Sequence, residues 1–180
     1  MIPAPRAGAD EAATEAALAA QAGDPGAATT LVRLTQGEVW RFVATLVDTD
    51  AADDLTQETF LRAFRALSGF AARASARTWL LSIARHVCAD HIRTLQRRRR
   101  LAGRLPLPGT EPDHAGLLGA ADLIHRLSEE RRGAFVLTQV IGLSYAQVAE
   151  IEGVPVGTIR SRVARARDQL IAAVEAARAG

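Results

Sequence analysis

Large apolar residues recur along most of this chain at steps of three and four, the spacing of one helix face. Asp10 to Ala22 is alanine-rich, and Gly23 supplies a stop. Asp24-Pro25 reads as an N-cap with proline at the first helical position. Leu31, Leu34, Val39, Phe42, Val43, Leu46 and Val47 then recur at the spacing of a second helix. After a cap at Thr49-Asp50, a third helix spans Ala51 to Leu67, with Leu55, Thr59, Phe60, Ala63, Phe64 and Leu67 along its stripe. Its first turn carries Asp53 and Asp54, which suit the positive end of the helix dipole. Ser68 to Ala74 is a loop. Ser75 caps a long helix to about Gln96, whose apolar face is Trp79, Leu80, Ile83, Val87 and Ile92.

The periodicity then stops. Arg97 to Gly116 opens with four arginines and continues with Pro106, Pro108 and Pro112 and with Gly103, Gly109 and Gly116. Like charge followed by proline and glycine cannot bury a core, so residues 97–116 read as a linker. Beyond it, Leu117 to Leu127 is helical with a break, and Ser128 caps Glu129 to Ile141, which Gly142 ends. Ser144 and Gln147 form a capping box for Tyr145 to Glu152. Gly153-Val154-Pro155 is a turn, and Val156 to about Ala177 is the last helix. The expected fold is all-α, with two small helical domains, 25–96 and 117–180. Residues 1–24 are an N-terminal extension.

Composition narrows the classes. Of 180 residues 37 are alanine, so large apolar groups suffice for small cores but not for a large enzyme domain around a deep pocket. The single cysteine, Cys88, excludes an internal disulfide framework and a cysteine-based zinc finger. No apolar run approaches a membrane span, and Met1 to Asp24 has no leucine-rich stretch. A cytoplasmic protein without membrane contact is expected. All 22 cationic residues are arginine, against 20 acids. The net charge of +2 makes the pI of 9.4 a poor guide, because little titrates between histidine and arginine. Its distribution says more: residues 96–104 hold five arginines and no acid, whereas residues 1–95 hold 9 arginines and 11 acids.

A short helix, a glycine turn and a second helix is the helix-turn-helix layout. Val148, Ala149, Ile151, Val154, Ile159 and Val163 are spaced to pack its two helices. The second carries Arg160, Arg162, Arg165 and Arg167, with no acid from Val156 to Arg167. Thr158, Arg160 and Ser161 lie near the end that enters the major groove in such proteins, where arginine can fork onto guanine or hold phosphate. The bland alternative is a solvated basic face.

In the first domain Asp54, Gln57, Glu58 and Leu61 share one exposed helix edge beside Asp53. Composition alone makes this an ordinary solvated face. The helix after Ser75 sets Arg77, Arg85, His86 and Arg93 on polar positions, with Trp79 near its start and Phe70 in the preceding loop. Arginines beside aromatics can bind single-stranded nucleic acid, although both aromatics could equally be core. A thiol or metal enzyme built on His86, Cys88 and His91 fails on geometry. On a helix His86 and Cys88 point about 200° apart and Cys88 and His91 about 60° apart, so they do not converge. No metal, cofactor or catalytic residue is expected.

Four stretches, in order, resemble the extracytoplasmic-function group of bacterial sigma factors: Ala52 to Phe60; Ala76 to Arg85 with Asp90 to Arg93; Gly142 to Tyr145; and Val154 to Arg162. The resemblance spans about 150 residues of the chain. It implies that 25–96 is sigma region 2 and 117–180 region 4, on a protein that binds core RNA polymerase and promoter DNA. It implies that Asp53, Asp54, Gln57, Glu58 and Leu61 dock on the β′ clamp helices, with the β subunit a further partner. It implies that Phe70, Arg77, Trp79, Arg85, His86 and Arg93 serve the −10 element and its flipped base. It implies that Thr158, Arg160, Ser161, Arg162 and Arg165 serve the −35 element, and that the linker runs toward the RNA exit channel. Anti-sigma partners are common in that group. His86 stands where many members have asparagine, and Ala164 where many have an aromatic or histidine. A stand-alone helix-turn-helix regulator with an N-terminal dimerisation or ligand domain is the alternative.

Overall fold

The computed structural model describes residues 7–47, 49–101 and 120–179. These form eight α-helices, with no strand among them: α1 (Ala7–Gln21), α2 (Ala27–Leu46), α3 (Thr49–Ala66), α4 (Ala76–Leu101), α5 (Ala120–His125), α6 (Glu129–Phe135), α7 (Tyr145–Glu152) and α8 (Val156–Ala179). A 3-10 turn, Leu67–Gly69, follows α3, and α6 runs on into a π-helical segment, Val136–Val140.

Helices α1 to α4 form the first unit. Phe42, Leu31, Val39 and Val43 of α2 and Leu80, Leu81 and Val87 of α4 are its fully buried side chains. Helix α1 presents Ala13, Ala16 and Ala17 to them, and these small residues let it lie close to its neighbours. It ends as expected before Gly23, whose φ of +97° needs no Cβ penalty. There the Gly23 and Asp24 amides donate to the carbonyls of Ala20 and Ala19, a paired C-cap.

The second unit is α5 to α8, built on Val136, Leu137, Val148, Ile159 and Val163. The capping box is present: Ser144 Oγ accepts from the Gln147 amide at 3.2 Å, and the Ser144 amide donates to Gln147 Oε1 at 2.9 Å. Gly153, in the left-handed conformation at φ +64°, ends α7 and turns the chain into α8.

Four features depart from the pattern. Helix α2 begins at Ala27 with Gly26 as its N-cap, so Pro25 precedes the helix rather than opening it, and Asp24 Oδ1 accepts from the Gly26 amide at 2.8 Å. Helix α4 does not stop near Gln96 but continues through the arginine run to Leu101. Arginine is a good helix former, and the preceding turns already supply the nucleus that a charged segment alone lacks. The rest of the expected linker lies outside the described residues. Ser128 precedes α6 without a side-chain capping bond. Finally, the units are not merely tethered. One buried cluster runs from Leu31, Phe42 and Leu80 to Leu137, Val148 and Ile159.

Candidate nucleic-acid and partner interfaces

The seam between the units carries charge as well as apolar contact. Arg85 of α4, with a side chain 13% exposed, donates to Glu129 Oε1 at 2.7 Å and to Glu152 Oε1 at 2.8 Å. Glu152 ends α7 and its side chain is 4% exposed. Gly133 of α6 lies against this pair; a Cβ there would come within 3.1 Å of Glu152 Oε1. Burial by itself would lower the Arg85 pKa, but Glu152 and Glu129 together outweigh it and hold the guanidinium above its ordinary value. Arg77 behaves alike. Burial opposes its charge, yet Glu38 at 2.5 Å and Asp10 at 3.5 Å raise its pKa. Arg77 also donates to the Ile141 carbonyl at 2.6 Å, another bond across the seam.

The expected −10 residues therefore fall into distinct environments. Phe70 is buried and packs on Trp79, with ring centroids 4.8 Å apart at 41°. A cleft of about 420 Å³ opens beside them, lined by Gly69 to Ala74, Thr78, Trp79, Ser82 and His86, and closed on one side by Glu150 and Ile151 of α7. His86 is exposed at its rim, its Nδ1 2.7 Å from the Ser82 carbonyl. Arg93 lies outside the cleft lining, exposed and paired with Asp90 at 2.5 Å. Asp90 is shared with Arg62 at 2.8 Å, and these guanidiniums, Arg62 first, hold its carboxyl below the usual value. Cys88, on the buried side of α4, is no nucleophile: burial pushes its thiol up to about 12.

On α3, Asp53, Asp54, Gln57 and Leu61 are exposed as expected. Glu58 is half-buried and bonded to Arg62 at 2.7 Å. Two neighbours were missing from the sequence reading of this face. Trp40 of α2 is 37% exposed and donates its indole N–H to Asp53 Oδ1 at 2.7 Å. Phe64, expected in the buried stripe, is also 37% exposed. The signal for Trp40 was available: it follows Val39 and precedes Phe42, so it lies off the buried stripe.

On α8, Arg160, Ser161 and Arg165 are exposed and Thr158 is half-buried. Arg162 differs: its side chain is 18% exposed and lies 3.6 Å from both Glu130 and Glu152. Ala164 leaves an exposed position without a bulky group.

Two family models match, Sigma-70 region 2 over residues 31–98 and Sigma-70 region 4 over residues 119–170. The ECF RNA polymerase sigma factor SigC of Mycobacterium tuberculosis is 50% identical over 177 residues, covering 92% of this chain and 93% of that one. The chain belongs to the extracytoplasmic-function (ECF) group of sigma factors. The ECF sigma-E factor of Haemophilus influenzae is 31% identical, covering 83% of this chain and 88% of its own. Among solved structures, CnrH in complex with the cytosolic domain of CnrY superposes with a TM-score of 0.72 at 26% identity, covering 92% and 98% of the two chains. The Bartonella quintana sigma factor RpoE, in complex with the anti-sigma factor NepR, gives 0.70 at 27%, covering 80% and 94%. As an ECF sigma factor the protein binds core RNA polymerase and directs initiation at promoter DNA. This decides against the stand-alone regulator. Among the described residues no helix is long and apolar enough to cross a membrane.

Proposed function

We propose that this sigma factor divides its work among three surfaces and acts, without catalytic chemistry of its own, in the cytoplasm. The exposed acids and Leu61 of α3, joined by Trp40, dock on core polymerase. The cleft between Phe70 and His86, with the arginines of α4, receives the −10 element. The N-terminal half of α8, through Thr158, Arg160, Ser161, Arg162 and Arg165, reads the −35 element. One observation carries the division: the faces differ in chemistry, acids with exposed apolar groups on α3, and on α8 the exposed Ser161 with Arg160 and Arg165, which no ion pair among the described residues involves. The first suits a protein partner and the second a DNA groove.

On this reading the compact arrangement is a resting form. Arg85 is held by Glu152, and α7 closes one side of the cleft, so promoter engagement separates α4 from α7. The two structural neighbours are complexes with a partner protein, which supports an anti-sigma protein as a further partner here.

The test is run-off transcription with purified core polymerase on a mapped promoter. Asp54→Arg with Leu61→Asp is expected to lower core affinity at least tenfold with DNA discrimination intact. Arg160→Ala is expected to do the reverse. If both variants lose core affinity equally, the division is wrong.

A further inference from the structure

Helix α1 lies outside the stretch matched to sigma region 2, which begins at residue 31. Yet two of its side chains hold the loop that lines the −10 cleft. The Gln21 side-chain amide donates from Nε2 to three carbonyls of the segment after α3, Leu67 at 2.8 Å, Ser68 at 3.0 Å and Phe70 at 3.0 Å. Thr14 Oγ1 accepts from the Ala76 amide, the first of α4, at 3.0 Å, and donates to the Asp10 carbonyl at 2.8 Å. Seven residues separate Thr14 from Gln21, so they share nearly one helix face and stand about 10.5 Å apart along its axis. One contact grips the start of the loop and the other its end. The paired C-cap at Gly23 fixes the backbone that carries Gln21.

The gripped segment includes strained backbone. Ala72, in the cleft lining, has φ +49°. An L-residue keeps that conformation only where its surroundings impose it, and such positions gather at binding sites. Free loop carbonyls could instead turn to water and let the segment relax. An amide with two N–H groups set among three carbonyls prevents this.

We propose that Gln21, seconded by Thr14, is a positioning residue for −10 recognition: it holds the 67–76 loop in the shape that receives a promoter base. The inference rests on assigning that loop to the −10 contact. It predicts a defect in base discrimination rather than in polymerase binding.

The experiment uses the full chain with core polymerase and a mapped promoter whose −10 positions are randomised while the −35 element and spacing stay fixed. Each −10 variant carries its own barcode in the transcribed region, and counting barcodes in the run-off products gives the yield on the preferred −10 sequence relative to single substitutions. Gln21→Leu and Gln21→Glu, which lack the donors, are expected to narrow that ratio roughly three- to tenfold, the scale of one or two net hydrogen bonds. Gln21→Lys, which keeps N–H donors, restores most of it, and Thr14→Val narrows it less. Core affinity stays within about twofold of wild type, since α1 makes no part of the α3 face. Trp79→Ala is run in parallel. If it narrows the ratio while the Gln21 variants do not, the positioning role is overturned and the loop assignment survives. If Trp79→Ala leaves the ratio unchanged, the loop assignment fails and takes this inference with it. A lower melting temperature and lower total yield at an unchanged ratio in the Gln21 variants also overturns it.

Discussion

On α4, Arg77 and Arg85 hold acids of the protein itself, Glu38 and Asp10 for one, Glu129 and Glu152 for the other. On α8, Arg160 and Arg165 lie exposed, and no ion pair among the described residues involves them. Both helices are amphipathic, and both arginine sets look alike as text. The difference lies in what faces them. A buried guanidinium without a partner is costly, so α4 meets acids from α1, α2, α6 and α7. The open end of α8 is followed by no acid until Asp168. An arginine that already has two carboxylates must lose them before it can hold a phosphate. One that has none is ready for DNA.

The largest expected effect comes from breaking the paired side. Arg85→Met leaves Glu152 buried with only the more distant Arg162, and should destabilise the free protein by about 3 kcal/mol in denaturant melts. Arg85→Met with Glu152→Met should recover most of that loss; if the double variant is as unstable as the single one, the pair is not what costs. The open side should respond in binding, not in stability. Arg160→Ala is expected to weaken −35-dependent promoter binding by about 1–3 kcal/mol, roughly ten- to a hundredfold, with an unchanged melting curve. Arg93 lies between the two cases, exposed yet paired with Asp90. Because the Asp90 carboxyl is held below its ordinary value, its contribution is present above about pH 4 and fades as pH falls through the lower folded value. Asp90 is nearly half exposed, so the amount is small, about 0.5 kcal/mol. Melts of wild type and Asp90→Asn should differ above that range and converge below it.

Local chemistry was legible in the sequence where it acts over a few residues. Ser144 and Gln147 close their box, Gly23, Gly142 and Gly153 take positive φ, and Ser75 accepts from the Thr78 amide. All of these depend on spacings of three or four, or on one residue's own conformation. Arg85 and Glu152 are 67 positions apart, and nothing in either neighbourhood names the other. Arg162 and Arg165 look equivalent on the page and stand only about 60° apart around α8, yet only Arg162 reaches acids of α6 and α7, Glu130 and Glu152. The arginine run of α4 misled for a related reason: its composition resembles a linker, while the helix before it carries it onward. The exposed acids of α3 were found because a stripe also defines its opposite face. Trp40 was not legible as part of that face because its partner, Asp53, lies 13 positions on, across the turn into α3.

The tryptophans also give the molecule a pair of optical reporters. The chain has two. Trp40 is hydrogen-bonded to Asp53 on the α3 side, and Trp79 is stacked on Phe70 at the cleft. They stand on the faces assigned to different partners. With Trp40→Phe the remaining emission follows the DNA side, and with Trp79→Phe it follows the protein side. A single cuvette, without any attached dye, can then show which of the two encounters comes first.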